Sequence, residues 1–391
     1  MRSSAGMNLD AEVLILGGGC AGLSLAYRLA SQPSSPTVIL IEARRRYVND
    51  RTWCGWRIEP HPFSHCLVTQ WHTLRLRDIG REIEFDCADY PYEMIDAGCF
   101  YTSCLSRIDA AAHIERRVGR VAGVDAHRSH LEVSLENGSR LRGRWVVDTL
   151  PRPARLVAPW RWQDFAGLEV SSPRLEDAEP TLMDFSIKSE IAETDQLDFL
   201  YRLPIAPGRT LFEWTRFARP ASDPHLLEQA LHRYLNQLLD GDYRILRHEH
   251  GSLPMAPPSG KSSRAGGRHI LAGAYAGAMR ASTGYAFHAI QRWSDHCARA
   301  LSRGEAPRPA PSRRAIAALD RIFMTALERH PPDAAALFCQ LFERCPSDAL
   351  VRFLAGHPSI SDVGRVIGSL PKLPLLTAAL ASVVPSSKSP R

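Results

Sequence analysis

The order of apolar and polar positions at the start of the chain predicts a strand, a helix and a second strand. Residues 13–16 are all apolar, as expected of a strand buried on both faces. A glycine-rich turn and an amphipathic stretch ending near Pro33 follow, and residues 37–41 form a second, mostly apolar run. Two buried strands joined by a helix run parallel, so this order predicts a parallel βαβ unit.

The rest of the chain contains both strand-like and helical patterns. Strand-like alternation predicts strands in 71–85, three strands in 113–147, a strand-rich region with a turn at 205–208 in 181–218, and a buried strand in 269–274. Helical spacing is found in 101–112, in 225–239, in the stretch that ends at Leu301, and repeatedly in 313–380.

The turn after the first strand carries a dinucleotide-binding motif. Gly17, Gly19 and Gly22 have the G-x-G-x-x-G spacing, with Ala21 between the last two, and Glu42 ends the next strand. The three glycines would allow a tight turn, a close approach to a pyrophosphate and close helix packing, while Glu42 would bind ribose hydroxyls. Because strand, helix and acid stand at the required distances, the motif predicts a dinucleotide site; the alternative is a glycine-rich turn without a ligand.

A second glycine-rich turn follows the predicted strand at 269–274. The motif alone does not separate FAD from NAD, but many flavoproteins leave their nucleotide-binding sheet and return to it late in the chain. The late turn would then contact the flavin, and residues 282–284 would cap the next helix. A plain strand–loop–helix connection is the alternative. The candidate cofactor contacts in this turn are Gly273, Gly277, Met279, Thr283 and Gly284.

These patterns together predict an α/β fold. A discontinuous Rossmann-type FAD-binding domain is expected at 10–60, 100–155 and 265–303. A β-sheet substrate-binding domain is expected at 61–99 and 156–264, and a helical C-terminal region at 313–385.

Composition narrows the class of protein. The chain is 45% hydrophobic and 23% charged, which is ordinary for a globular protein. A net charge of +6 without a basic stripe gives no reason to expect a nucleic-acid partner. The nine cysteines form no C-x-x-C pair, so neither a metal site nor disulfides are expected, and a reducing cytoplasm is the simplest compartment. Neither an apolar signal core in residues 1–9 nor an apolar run long enough to span a membrane is found.

Several segments carry motifs in a fixed order along almost the whole chain. They are the glycine-rich start with Glu42, residues 49–54 (N-D-x-T-W), 183–185 with 199–204, 211–215 (F-L-E-E-T), 251–255 (G-x-x-P-M), 273–287 (P-S-T-G-Y), and the tail. This ordered set resembles that of the lycopene cyclases, carotenoid β-cyclase flavoproteins of bacteria and plants. Two positions depart from the family motifs, with Trp214 in place of the second acid of F-L-E-E-T and Ala281 in place of the proline before S-T-G-Y.

The resemblance implies a reaction in which each linear end of lycopene, or of a related acyclic carotenoid, closes to a β-ionone ring without net oxidation. An acid protonates the terminal double bond at C2, the neighbouring alkene attacks the cation at C1, and a base removes a proton from C6. The resemblance also implies FAD in its reduced form, with NAD(P)H as the reductant. The flavin would stabilise the cation or move the proton, and the sequence leaves both roles open.

Glu213 is the residue that the resemblance assigns as the catalytic acid or base. Apolar burial would keep its carboxyl protonated near neutral pH, although a solvated charge on a half-exposed strand is the alternative. Arg51 is a candidate flavin contact or an ordinary loop residue. Aromatic faces could stabilise a cation, or could simply form a core. The candidate substrate-binding residues are Trp214, Phe212, Tyr201, Phe199 and Phe185.

The predicted turn at 205–208 would set the register of the flanking strands. It would place Tyr201 opposite Phe212 and Leu200 opposite Glu213, with the aromatic residues mostly on the far face of the sheet from the acid. A bulge would reverse this. The histidines at 248, 250 and 288 have no partners at metal-ligand spacing and are interpreted as ordinary helix and loop residues, so no metal is expected.

Lycopene is a membrane-held hydrocarbon, so a peripheral membrane protein on the cytoplasmic side is expected. The apolar segment 366–385, broken by two prolines, and surface arginines are the candidate contacts, and helical packing of the segment on the domain is the alternative. Two other functions remain open: a flavin-dependent monooxygenase or isoprenoid reductase, and a non-catalytic carotenoid-binding flavoprotein, which the Trp214 departure would favour. The oligomeric state is not defined by the sequence.

Overall fold

The computed structural model describes residues 9–32, 34–152, 155–187, 196–258, 263–311 and 314–383. The first sheet consists of β1 (Ala11–Leu16), β2 (Val38–Glu42), β8 (Ile114–Val118), β9 (Val121–Ala126), β10 (Leu131–Leu135), β11 (Arg140–Asp148), β17 (Ser263–Arg264) and β18 (His269–Leu271). The second sheet consists of β5 (Thr73–Asp78), β6 (Arg81–Asp86), β12 (Arg161–Ser171), β13 (Thr181–Asp184), β14 (Leu197–Ala206), β15 (Arg209–Ala218) and β16 (Arg244–Met255). The third consists of β3 (Thr52–Trp56), β4 (Leu67–Trp71) and β7 (Tyr92–Asp96).

The helices lie against these sheets and form a separate C-terminal group. Helix α1 begins directly after the first glycine-rich turn, and α3 covers one face of the second sheet. The α-helices of the described residues are α1 (Cys20–Leu29), α2 (Ala97–Asp109), α3 (Pro224–Leu239), α4 (Phe287–Ser302), α5 (Arg314–Arg329), α6 (Ala334–Arg344), α7 (Ser347–Leu354), α8 (Ile360–Ser369) and α9 (Lys372–Val383).

The first sheet has the parallel centre that the sequence predicts. Strand β1 runs parallel to β2 and to β11, and β11 runs parallel to β18. Residues 13–16 of β1 are completely buried, because helices cover one face of the sheet and the β9–β10 hairpin region the other. The chain therefore returns to its first sheet late in the sequence, and the predicted α/β fold with a Rossmann-type domain is confirmed.

Segment 113–147 contains four strands, β8 to β11, where three were expected. The chain turns between Val118 and Val121, because β8 pairs with β2 whereas β9 pairs with β10. One continuous strand could not pair with both β2 and β10, so the segment that was expected to form one strand is divided into β8 and β9.

The second sheet is mostly antiparallel, in the order β16–β12–β15–β14–β13–β5–β6. Strands β12, β14 and β15 bury one face against α3, and the opposite face is directed toward the C-terminal helices. Helices predicted within 313–380 are present, whereas residues 313, 384 and 385 of the predicted C-terminal region lie outside the described residues, as do residues 1–8. Among the described helices, none combines the length and apolar character needed to cross a bilayer.

The expectation that disulfides are absent is wrong. Cys66 and Cys99 form a disulfide with their Cα atoms 5.4 Å apart. Their separation of 33 residues gives no local signal, and the pair meets only because β7 and α2 bring the chain back beside the short helical turn at Ser64–Cys66.

Candidate functional site

The first glycine-rich turn has a backbone that only glycine fits at two positions. Gly17 has φ +94°, and a Cβ at Gly22 would lie 1.9 Å from the carbonyl oxygen of Gly17. At Gly19, by contrast, no atom lies within 4 Å of the position of a Cβ. This open space stands at the N-terminus of α1, where backbone N–H groups and the helix dipole favour a phosphate.

Glu42 lies at this turn, as predicted, and is bonded to it. Its Oε2 accepts a hydrogen bond from the Gly18 N–H at 2.6 Å, and its Oε1 accepts one from the Arg44 N–H at 2.8 Å. The Tyr47 hydroxyl and the Arg44 guanidinium both donate to the Gly18 carbonyl oxygen, at 2.9 and 3.0 Å. The turn is therefore held in place from the end of β2, and its open side fits the diphosphate of a dinucleotide.

The late glycine-rich turn meets the first one. Gly273 has φ +86°, and a Cβ there would lie 3.2 Å from the Cβ of Ala21. Gly277 has φ +99° and packs close to Pro258, while Met279 is buried. The two turns therefore border one space at the carboxyl end of the first sheet, where parallel α/β sheets bind their ligands.

The segment from Thr283 to α4 differs from the expectation in one respect. Helix α4 is preceded by Ala286 and has no side-chain cap, so residues 282–284 do not cap it. Ser282 instead donates to Asp320 Oδ1 at 2.8 Å, which fixes this segment to α5. Gly284 has φ +72° and lies against Gln163 of β12. Arg51 donates to the His250 carbonyl oxygen at 3.3 Å, which places it between β3 and β16.

The register of β14 and β15 differs by one residue from the expected one. Tyr201 stands opposite Glu213, and Leu200 stands opposite Trp214. The register shifts between Pro204 and Ala206, so a bulge next to the turn moves every later pair by one position. Because successive side chains alternate between faces, this shift brings Tyr201 to the face of Glu213.

The five candidate aromatic residues divide between the two faces. Phe212 and Trp214 are buried under α3, and the Trp214 indole N–H donates to Asp198 Oδ2 at 3.1 Å. The structure therefore does not bring them to Glu213. Tyr201 and Phe199 do share the face of Glu213, and Phe185 packs against Phe199 with ring centroids 5.6 Å apart.

An apolar cavity of about 440 Å³ lies on this face, between the second sheet and the C-terminal helices. Its lining includes Phe199, Tyr201 and Phe217 from the sheet, Tyr285 from the late turn, and Leu376 from α9. Arg280 and Asp320 form a buried ion pair at one part of the wall. A cavity of this kind would take a hydrocarbon chain rather than a polar ligand.

Glu213 is partly buried on the sheet face that carries this cavity, and Tyr201, which stands opposite it, lines the cavity. Loss of solvation and, to a smaller degree, the nearby Glu249 carboxylate raise the pKa of Glu213 to about 8, against opposing effects of Thr215 and Arg247. The Thr215 hydroxyl donates to Glu213 Oε1 at 2.8 Å. Such a carboxyl carries its proton at neutral pH, so the sheet face that carries the apolar cavity also carries an acid.

Glu249 is a site residue that the sequence interpretation missed. Residues 248–250 were expected to be ordinary loop residues, but they belong to β16, and Glu249 faces the same side of the sheet as Glu213. Its Oε2 accepts from the Thr52 hydroxyl at 2.7 Å and from Arg247 at 2.6 Å. Its place two residues before the G-x-x-P-M segment is the one local signal, and the polar run 247–250 gives no indication that this carboxyl is buried.

His288 also has close partners, contrary to expectation. The ring atom Nε2 of His61 lies 2.7 Å from Glu93 Oε1, and Nε2 of His288 lies 3.4 Å from the same oxygen. The Phe63 N–H points to Nδ1 of His61 at 3.2 Å, so Nε2 of His61 carries the proton that Glu93 accepts. Burial and the nearby His61 lower the pKa of His288 to about 3. The three side chains thus form a largely buried, hydrogen-bonded cluster.

Solved structures share this fold at low sequence identity. A geranylgeranyl bacteriochlorophyll reductase-like protein from Thermoplasma acidophilum superposes with a TM-score of 0.61 at 13% identity, covering 95% of this chain and 99% of that one. A flavoprotein/dehydrogenase from Cytophaga hutchinsonii gives a TM-score of 0.60 at 11% identity, covering 95% and 98%. The chain therefore has the fold of these proteins.

Proteins related in sequence define the family of this chain more narrowly than the solved structures do. The lycopene beta-cyclase of Pantoea ananas is 25% identical over 394 aligned positions, covering 95% of this chain and 97% of that protein. The lycopene beta-cyclase of Pseudescherichia vulneris is 23% identical and covers 93% and 95%. The family described as lycopene cyclase protein matches residues 12–380. Since that match spans nearly the whole sequence, the chain belongs to the lycopene cyclase protein family.

Proposed function

We propose that this protein is a lycopene β-cyclase that closes the linear ends of lycopene to β-ionone rings by acid–base chemistry. The observation that supports it most directly is the placement of Glu213, a carboxyl with a raised pKa, on the sheet face that carries the apolar cavity. Family membership supports a carotenoid as the substrate.

The proposed first step is proton donation from Glu213 to C2 of the terminal double bond. The cation at C1 is then attacked by the neighbouring alkene, and loss of a proton from C6 completes the ring. Atoms balance, since one proton is added and one removed. The Tyr201 ring stands opposite Glu213, and Phe199 lies on the same face, so both can offer an aromatic face to the cation.

Glu213 can also serve as the base of the last step. Once it has donated its proton, it is a carboxylate beside the carbon skeleton from which the C6 proton must leave. The Thr215 hydroxyl, which donates to Glu213 Oε1, would stabilise that carboxylate between the two transfers. The wall of apolar residues excludes water that would otherwise capture the cation.

FAD, reduced by NAD(P)H, is the proposed cofactor. The open space at Gly19, the glycine-only backbone at Gly17 and Gly22, and the position of Glu42 fit its adenosine diphosphate part. The late turn, with Gly273 next to Ala21, would border the rest of the molecule. When bound, a reduced flavin would supply negative charge to the site. The domain boundaries predicted from the sequence are part of this proposal.

Peripheral binding to the cytoplasmic face of a membrane is proposed as the route of the substrate. Ile367 and Leu376 line the cavity and are also 49% and 60% exposed, so an apolar opening lies at α8 and α9. Leu380 on α9 is 71% exposed, and Lys372 begins that helix. Apolar side chains with an adjacent cation suit the boundary between lipid headgroups and acyl chains.

The test is an anaerobic incubation of the purified protein with lycopene in liposomes, FAD and NADPH, followed by chromatography of the carotenoids. Monocyclic and bicyclic products with the mass of lycopene are expected, and Glu213→Gln should form none. Unchanged lycopene in the presence of bound, reducible flavin would contradict the proposed function.

A further inference from the structure

We propose that Glu249 is the second carboxylate of this site and acts as a positioning residue, by holding its charge next to Glu213 so that Glu213 keeps its proton until the substrate arrives. This inference rests on the function proposed above. The second carboxylate of the site is then Glu249 on β16. It is not the residue at position 214, where the F-L-E-E-T motif has its second acid.

The register brings the two carboxyl groups to one place. Gly167 of β12 stands opposite Glu213 on one side and opposite Glu249 on the other. Cross-strand neighbours of this kind direct their side chains to the same face. The two acids are therefore separated only by a residue that has no side chain.

Gly167 leaves the space that the Glu249 side chain occupies. A Cβ at Gly167 would lie 2.8 Å from Glu249 Cγ and 3.1 Å from Glu249 Oε1. The Glu249 side chain thus lies over Gly167, leaning toward the strand of Glu213. Any larger residue at 167 would move Glu249 away.

The two ends of the Glu249 carboxylate differ in their partners. Oε2 is bonded to Thr52 and Arg247, as described above, so Oε1 is the oxygen that lies over Gly167. Arg247 also donates to Glu169 Oε2 at 3.1 Å, and its second amino group donates to the Thr52 hydroxyl at 2.6 Å. This ion pair stabilises the charge of Glu249 and prevents it from turning away.

Within the part of the chain that the structure describes, no cation forms an ion pair with Glu213 as Arg247 does with Glu249. Its carboxyl accepts a hydrogen bond from the Thr215 hydroxyl. The charged or titratable groups around it are Glu249, Arg247 and Glu169 from the sheet, Tyr201 from β14, and Cys54 from β3. When two carboxyl groups lie close together in a partly buried site, ionising both of them costs free energy. Because Arg247 is bonded to Glu249 and not to Glu213, Glu213 is the carboxyl that is proposed to keep its proton.

Position 214 could not take this role. Its side chain points into the layer between β15 and α3, where Trp214 is 2% exposed. An acid there would be separated from Glu213 by the sheet itself. The replacement of the second acid by Trp214 therefore leaves the pair of carboxyl groups on the cavity face intact.

The test uses the full-length protein with FAD and compares it with Glu249→Gln, Gly167→Ala and the control Glu228→Gln. Glu228 lies on α3 and pairs with His248, outside the site. The pH at which kcat/KM falls on the alkaline side should move roughly one to three pH units toward acid in Glu249→Gln. The shift should be smaller in Gly167→Ala and absent in Glu228→Gln. An unchanged midpoint in Glu249→Gln would overturn the proposal.

A second measurement does not depend on turnover. Infrared difference titration without substrate follows the protonated-carboxyl band that Glu213→Gln lacks. That band should disappear at lower pH in Glu249→Gln than in the unsubstituted protein, and an identical titration would overturn the proposal. If the unsubstituted protein forms no cyclic product, the proposed function fails, while this titration still shows whether Glu249 acts on Glu213.

Discussion

Tyr201 of β14 stands directly opposite Glu213 of β15, so a phenol ring and an acidic carboxyl share one face of the second sheet. Glu213 occupies the position of the first acid of F-L-E-E-T. Tyr201 also lines the apolar cavity. Glu213 is thus paired with an aromatic residue that lines the space in which a hydrocarbon chain would lie.

Glu213→Gln should lower the rate of cyclisation by roughly 10²–10⁴-fold, the usual contribution of a general acid. The amide has a similar shape but no acidic proton. Initial rates of product formation in liposomes measure this, with Glu228→Gln as the matched substitution outside the site. Comparable rates in Glu213→Gln and the unsubstituted protein would remove Glu213 from the mechanism.

The rate should fall as the pH rises through about 8, the pKa to which burial and Glu249 raise Glu213. The sign follows from the chemistry, because the protonated form is the active one and is lost above the pKa. A pH profile of kcat/KM from about pH 5 to about pH 10, roughly three units below and two units above that pKa, checks this. A rate that rises through the same range would mean that Glu213 starts the reaction as a base.

Substitutions at Tyr201 and Trp214 should separate catalysis from stability. Loss of the aromatic face in Tyr201→Leu should lower the rate by about 30-fold, which corresponds to a desolvated cation–π contribution of about 2 kcal/mol. Tyr201→Phe keeps the ring and should retain most of the rate.

Trp214→Ala should instead lower the free energy of unfolding by about 3–5 kcal/mol, because it opens a hole under α3. Denaturant titration measures the stability of each variant, and chromatography measures its rate. A large loss of rate in a stable, folded Trp214 variant would contradict the assignment of faces.

Two glycines of the first turn should respond differently to alanine. In Gly22→Ala the new Cβ would lie 1.9 Å from the Gly17 carbonyl oxygen, so the turn must distort and the protein should lose stability. In Gly19→Ala nothing lies within 4 Å, so the apoprotein should keep its Tm. Its affinity for FAD should still fall, because the methyl group enters the proposed diphosphate space. Thermal unfolding of the apoprotein and fluorescence titration with FAD distinguish the two.

Acidic substitutions at the cavity opening should weaken membrane binding. Leu376→Asp together with Leu380→Asp places two charges on exposed apolar positions of α9 and should reduce co-sedimentation with liposomes. Ile79→Asp is the control, since Ile79 is 87% exposed at the β5–β6 turn and does not line the cavity. Equal binding of all three proteins would exclude α9 as the contact.

The sequence by itself determined the βαβ unit, its glycine-rich turn and the acid at Glu42. These features are local. Gly17 and Gly22 are required by the backbone geometry of a few neighbouring residues, and buried parallel strands are apolar along their whole length. The return of the chain at β18 could also be predicted, because a second apolar strand with a glycine turn repeats the first pattern. Glu213 was found through its motif, and not through its surroundings.

Only the tertiary structure decided which side chains surround Glu213. A single bulge between Pro204 and Ala206 changes the face of every later residue pair, and nothing in the order of residues marks it. Glu249, the Cys66–Cys99 pair and the partners of His288 come from segments far apart in the chain. Spacing along the chain reports local geometry, whereas contacts between distant segments depend on how the three sheets and the C-terminal helices pack.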